Sequence, residues 1–218
     1  MACMLMIMSL CMPIQTFASS TELKEIPDLT IIEDDKFSKL VEQILSIKQQ
    51  HPEWSIQQIK EFVDESCRIE ENSRGNIADI WSVLTDSEKK LVIRYPFDAL
   101  KVNKAKNIAT DQTINKFGSN GLGDRSDAFR HGIWNAEMTI LIGEKKAELF
   151  ATAHEDKDLS GIELDGYLKV EHKNMDLHNN EIGRKVGREN LEATEMELGD
   201  LIYNMIYQSE TEFMWLHE

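Results

Sequence analysis

The chain is poor in residues that interrupt helices. It has 11 glycines and 4 prolines in 218 residues, and no run alternates apolar and polar residues long enough to read as a strand. Helices are what remains, and the plentiful glutamate, lysine, leucine and isoleucine favour them. Cysteine is almost absent, with Cys3, Cys11 and Cys67 the only examples. Two of these fall in an apolar leader, and a lone Cys67 cannot form an intramolecular disulfide, so there is no disulfide framework. Cys67 lies in a stretch, Phe62 to Ile69, that reads as one helix, where it serves as a small apolar core residue.

Positive charge is scarce as well. Lysine and arginine number 24 against 39 aspartates and glutamates, for a net charge of −15. Such a surface repels nucleic acid and anionic lipid at long range, and a nucleic-acid partner is not expected. A nuclease with a local basic cleft stays open. The one basic-leaning stretch, Lys89 to Lys106, reads as a solvated helix face.

Long apolar runs are confined to the beginning of the chain. Met1 to Ala18 carries no charge and ends in Thr16-Phe17-Ala18-Ser19, where small residues at −3 and −1 suit cleavage after Ala18. This is the pattern of a secretory signal peptide, although no lysine or arginine opens it. The run is too short and methionine-rich for a span, which needs about 20 residues. The expectation is a secreted or periplasmic protein of the cell envelope, with no stable membrane insertion once the leader is removed.

The rest divides into an N-terminal helical hairpin over 19–75, a motif-bearing helical domain over 76–210 and a tail over 211–218. In the hairpin, Asp34-Asp35 caps a helix to about Gln50, and a second helix runs from Ser55 to Glu71. The hairpin is either an interaction appendage or a first layer of the fold. A short helix over 77–84 follows, then Thr85-Asp-Ser-Glu88, a capping box that starts a helix to Tyr95. Pro96 opens another helix that stops at Gly118. The loop Gly118-Ser-Asn-Gly-Leu-Gly-Asp-Arg-Ser126 has a tempting glycine spacing, but no strand precedes it, so it is not a phosphate loop. Ser126 or Asp127 caps a helix to Ile142, and another runs from Glu144 to Glu155. A polar loop over 156–173 leads to helices near 174–190 and 194–210. The fold class expected is all-α, a compact orthogonal helical bundle preceded by a helical hairpin.

Polar groups interrupt this apolar pattern in three places: Asp127-Ala-Phe-Arg-His-Gly-Ile-Trp-Asn135, His154-Glu155 and Met175-Asp-Leu-His-Asn-Asn-Glu-Ile-Gly-Arg184. On a helix, Asp127, Arg130, His131, Trp134 and Asn135 share a stripe, while Phe129, Ile133, Ala136 and Ile140 form an apolar one. Apolar faces on both sides mean a central helix, and a buried polar stripe costs several kcal/mol unless its groups find partners. Asp127 and His131, four apart, can pair. Asp176, Asn179, Asn180, Gly183, Arg184 and Gly187 share another stripe. Its two glycines permit close approach of a second helix, and its asparagines are either cap residues at a helix start or members of the cluster. His178 points away from that stripe. His172, His51 and His217 are expected to be exposed.

Three chemistries fit these residues. In the first, His131, His154 and Asp176 ligate a divalent ion (Zn, Mn or Mg). An ion-bound water then attacks a substrate, with Glu155 or Asp127 as general base or orienting group. In the second, His131 oriented by Asp127 is the base without a metal. In both, Arg130 and Arg184 grip an anionic group, and Trp134, Asn135 and Asn180 complete a substrate-binding set. In the third, the cluster is a structural network with no catalysis. The order His, His-Glu, Asp is similar to that of helical metal phosphohydrolases, whose second element is His-Asp, but Glu155 departs from that pattern.

From Asp127 onward the motifs resemble a family of small bacterial domains of unknown function. Its hallmark helix reads Asp-Ala-Phe-Arg-His-Ala, and Gly132 replaces the last alanine here. The likeness covers roughly 76–210. It implies export, wall association or a toxin-like effector role, with an immunity or envelope protein as partner, and it supplies no reaction and no substrate.

Overall fold

A computed structural model describes residues 32–70 and 77–218. The leader, almost all of the polar lead-in and the break at Asn72-Ser-Arg-Gly75 lie outside the described residues. Within them there are nine helices and no strand, so the fold is all-α. No helix among them is long and apolar enough to cross a membrane.

The first two helices, α1 (Asp34–Gln50) and α2 (Ile56–Glu70), are amphipathic. Phe37, Leu40, Val41 and Ile44, at three- and four-residue spacing, make the buried stripe of α1. That stripe packs on α5 and α3, and α2 packs on α4 and α3, so the pair is a layer of the fold. Cys67 of α2 is half-buried against the core. After α3 (Ile77–Val83), the capping box forms as its residues dictate. The Thr85 N–H donates to Glu88 Oε2 (2.8 Å), and the Glu88 N–H donates to Thr85 Oγ1 (3.0 Å), which starts α4 (Asp86–Arg94). Pro96 opens α5 (Pro96–Phe117), and Gly118, at φ +73°, closes it in the left-handed region that a side chain would resist.

The central helix is α6 (Arg125–Ile142). Every residue from Ser126 to Thr139 is buried. Its cap is Asp124, which accepts from the Ser126 and Asp127 N–H groups, and not Ser126 or Asp127 as the sequence suggests. The reason is competition: Ser126 Oγ bonds Asp124 and the Gly121 N–H, and the Asp127 carboxylate turns inward. Next come α7 (Glu144–His154), α8 (Lys169–Glu189) and α9 (Glu195–Ile206). Helix α8 starts five residues before the expected 174, because the Leu168 N–H is satisfied by Glu171 Oε2 (2.9 Å). Asn179 and Asn180 are therefore mid-helix and fully buried, which overturns their reading as caps.

The closest contact in the fold is between α6 and α8. An alanine methyl built at Gly183 would lie 2.2 Å from the Gly132 carbonyl oxygen, and one at Gly187 would lie 2.5 Å from that of Ala136. The two backbones touch through these residues. Residues 211–218 then return across the same region. Phe213 is buried against Gly132, and Asn179 exchanges two hydrogen bonds with the Met214 backbone (2.8 and 3.0 Å).

This contact sets the sign of a mutational effect. On an exposed helix face, Gly→Ala stabilises by roughly 0.5–1 kcal/mol. Here Gly183→Ala and Gly187→Ala are expected to destabilise by about 1–3 kcal/mol or more, through overpacking against backbone that cannot turn aside. Urea unfolding checks this, and a Gly183→Ala protein at least as stable as wild type would show that the helices are not in backbone contact.

Candidate functional site

Two of the expected ligands, His131 and Asp176, meet where α6 crosses α8, and Asp127, expected as a general base or orienting group, joins them. His131 Nε2 lies 3.5 Å from Asp127 Oδ1 and 3.4 Å from Asp176 Oδ1. One donor atom from each of Asp127, His131 and Asp176 lies within 4.8 Å of the others, and all three residues are buried. Asp127 comes from the first turn of α6, His131 from one turn later, and Asp176 from the facing side of α8.

Asp127 is held from two sides. The Gly123 N–H donates to its Oδ2 (2.6 Å), and Arg130 Nη2 donates to its Oδ1 (2.5 Å). Arg130, itself fully buried, also donates to Asn120 Oδ1 (2.5 Å) and the Gly121 carbonyl (3.0 Å). The guanidinium is thus engaged within the protein and orients Asp127. That is a different position from the anion-gripping role the sequence suggests.

On the other side of the imidazole, Nδ1 lies 3.0 Å from Asn180 Oδ1 and 3.9 Å from Glu155 Oε1. Glu155 follows the end of α7 and is buried. Its Oε1 has no hydrogen-bond partner among the described residues. It therefore places a further carboxyl group next to the ring, on the Nδ1 side. Asn135 donates from Nδ2 to Asn180 Oδ1 (2.6 Å) and to the His131 carbonyl (3.1 Å), and its own Oδ1 accepts from Arg184 Nη1 (3.1 Å). Asn135 and Asn180 are fully buried and bond each other, and Arg184 reaches Asn135 from the edge of the cluster. Arg184 is half-buried, and burial lowers its pKa against the opposing charges of Glu148, Glu181 and Glu144. Acidic surroundings of this kind do not favour an anionic ligand.

His154 does not join the cluster. Its Nδ1 lies 2.9 Å from Glu88 Oε1, and Thr85 Oγ1 donates to the Ala153 carbonyl (2.6 Å), so the end of α7 is tied to the start of α4. Glu88 bonds the Thr85 N–H with one oxygen, which leaves the other for His154. Burial opposes ionisation of Glu88, but His154 and the Thr85 N–H together hold its carboxyl below the usual range. Asp127, from the hallmark helix, stands at the position that the sequence reading gave to His154.

Trp134 sits between the two histidines, with ring centroids 6.3 Å from His131 and 5.2 Å from His154, both edge-on. It also lines a cavity of about 60 Å³ that borders Glu88, His154, Phe150 and Lys106.

Several partners were not legible in the sequence. His172 is buried, 3.0 Å from Asp165 Oδ2, and the half-buried His217 reaches the same oxygen at 3.2 Å; both were expected to be exposed. His51 is half-buried and stacks on Trp54. His178, as expected, faces away from the cluster, bonding the Glu212 carbonyl (2.7 Å). Nothing in the local pattern signals that a loop aspartate will collect two histidines. Glu137, on the side of α6 toward Lys104 and Glu195, was also missed. It is buried, and burial followed by the charge of Glu195 pushes its carboxyl up from 4.5 to about 7.

The fold and this buried acid–histidine–amide centre define an all-α domain whose polar groups meet at one helix crossing. The chain belongs to the family described as Domain of unknown function (DUF6973), whose model matches residues 89–210. The centre lies within that match. No curated protein and no solved structure matches the chain.

Glu137 gives the site region a pH signature. The folded protein retains a proton that the unfolded chain releases near 4.5. Wild type therefore loses stability as pH rises from about 4.5 through 7. Glu137→Gln removes this loss. It is expected to unfold with wild type at pH 4 and to be more stable by roughly 2–3 kcal/mol at pH 8.5. Melting curves at the two pH values check this, and a difference that does not grow with pH would count against a buried, protonated Glu137.

Proposed function

We propose that this domain is an exported, metal-assisted hydrolase with an effector-like role in the cell envelope. In this reading Asp127, His131 and Asp176 hold a divalent ion (Zn, Mn or Mg). The observation that carries it is the spacing of the donor atoms, 3.5 and 3.4 Å from His131 Nε2 to the two carboxylate oxygens. Bonds of about 2.1 Å to nitrogen and oxygen donors in a tetrahedron require donor–donor edges of roughly 3.4 Å. Charge points the same way. Asp127, Asp176 and Glu155 bring three carboxyl groups to one imidazole, and Arg130 is hydrogen-bonded to Asp127. A divalent ion would offset the excess.

Three protein ligands with an open fourth coordination place are the usual requirement for hydrolysis, in which the ion would supply a water of lowered pKa. Here the set has two carboxylates and one histidine, a harder donor set that suits Mn and Mg as well as Zn. Arg130 and the Gly123 N–H aim Asp127. Glu155 strengthens the imidazole as a donor by stabilising positive charge on it. Trp134 and the cavity beside it offer an apolar surface for substrate.

The second reading is a non-catalytic, envelope-associated or partner-binding domain in which the cluster is a structural network. Enclosure favours it, since Asp127, Arg130, His131, Asn135, Glu155, Asp176 and Asn180 are all at most 4% exposed. Turnover in the first reading requires movement of a covering segment, and two irregular segments lie over the crossing: the 118–124 loop, which bonds Asp127 and Arg130, and residues 211–218, which pack on Gly132 and Asn179.

Two measurements separate these. Zn, Mn or Mg added to metal-free protein should bind one ion per chain and raise Tm by several degrees, as expected for a ligand of the native state alone. Asp176→Asn and His131→Ala should lose that rise. If none of the three ions raises Tm, the metal reading fails. Periplasmic expression of the wild type should impair growth, and His131→Ala, shown to remain helical, should not. A folded His131→Ala protein that is equally harmful would remove the catalytic role from this site.

A further inference from the structure

The amide groups of Asn135 and Asn180 can be oriented without ambiguity, and their orientation determines where His131 carries its proton. Arg184 fixes the first of them. A guanidinium only donates, so the Asn135 atom 3.1 Å from Arg184 Nη1 is the oxygen. Asn135 must then present its NH2 to its other neighbours. The His131 carbonyl, which only accepts, lies 3.1 Å from that nitrogen and agrees independently. The same NH2 group is 2.6 Å from the Asn180 side chain, so the Asn180 atom there is its oxygen. That oxygen is also 3.0 Å from His131 Nδ1, and an acceptor at that distance requires an N–H.

We infer that Arg184 acts through Asn135 and Asn180 as a positioning residue that keeps a proton on His131 Nδ1 and turns the Nε2 lone pair toward Asp127 and Asp176. The inference rests on the metal reading only for its purpose, since the chain of donors is fixed whether or not an ion is bound. A free imidazole prefers its proton on Nε2, so the buried network imposes the less favoured form. A lone pair facing two carboxylate oxygens is repulsive until a cation lies between them. The relay therefore prepares Nε2 for a divalent ion, or for a second proton in its absence, and prevents the ring from satisfying the carboxylates with a neutral N–H.

The layout explains the sequence spacing. His131 and Asn135 are four apart on α6, and Asn180 and Arg184 are four apart on α8, so each pair stands one above the other. Gly183, between them in the second pair, brings its backbone against Gly132 and puts the four side chains within hydrogen-bond range. The sequence reading placed Asn135, Asn180 and Arg184 around a substrate. Here the two asparagines are fully buried and serve the histidine.

The test is nitrogen-15 NMR of histidine-labelled protein, which distinguishes a protonated from an unprotonated ring nitrogen, taken before and after adding Zn. In wild type, Nδ1 of His131 should be protonated in both samples, and only Nε2 should change. In Arg184→Met, only the His131 carbonyl still holds the Asn135 amide, so a fraction of molecules can turn it over. A form with Nε2 protonated and Nδ1 bare should then appear, and Zn binding should weaken about tenfold or more. Arg184→Lys, which also only donates, should restore the wild-type nitrogen pattern in part. Asn180→Asp, which keeps an acceptor against Nδ1, should retain that pattern even if Arg184→Met does not fold. Wild type with a bare Nδ1 overturns the inference, whatever the ion does. So does a folded Arg184→Met protein with the wild-type pattern. A protonated Nδ1 in a protein that binds no ion leaves the relay standing and removes the metal reading instead.

Discussion

Backbone contact between α6 and α8 is the constraint on which the rest of the molecule depends. Gly132 and Ala136 on one helix meet Gly183 and Gly187 on the other, with no room for a further side-chain carbon at either glycine of α8. Such proximity removes the layer of aliphatic side chains that ordinarily separates two helices by 8–10 Å. What fills the crossing is instead the polar set on either side of the glycines. Hydrogen bonds between side chains on adjacent helices need short reach, and His131, Asn135, Asn180 and Asp176 obtain it only because the helix axes are close. The glycines and the polar cluster are thus one design, since each would be unfavourable without the other.

Enclosure is the second consequence. A buried carboxylate or imidazole is costly, and a half-satisfied network is worse than an apolar core. This one is satisfied in part from within, and Arg130 Nε, Glu155 Oε1 and Asn180 Nδ2 are buried without a hydrogen-bond partner among the described residues. Backbone groups of the 118–124 loop hold Asp127 and Arg130, Asn179 binds the return of the chain at Met214, and Asn135 bonds its own helix at the His131 carbonyl. Three carboxyl groups, of Asp127, Asp176 and Glu155, surround His131, and it is this concentration that the proposed cation would offset.

Much of this was legible in the sequence, and the legible parts share a cause. Helix ends at Thr85, Pro96, Gly118 and Thr194 are local chemistry: a hydroxyl, a fixed φ, a missing Cβ. The polar stripes of α6 and α8 follow from helical spacing alone, and so does the role of Gly183 and Gly187. What failed was pairing across the chain. His154 had a carboxylate neighbour in sequence and a better one in space, Glu88, already oriented by its capping duty. Asn179 and Asn180 looked like caps because asparagine is a poor helix former. Only the tertiary contacts of α8 show that their amides are needed mid-helix. Arg130 and Arg184 looked like grips for a substrate, but their partners, Asn120 and Asn135, are set by loop and helix geometry that spacing does not encode.

The path of residues 211–218 has a bearing on how the centre is put together. Phe213 closes over Gly132, the Leu216 and His217 N–H groups bond the Gly123 carbonyl, and Asn179 bridges to Met214. Every group this segment covers precedes it in the chain. Phe213 and the backbone of 214–217 thus lie across the outer side of the α6–α8 crossing, so passage to Nε2 from that side requires the segment to lift.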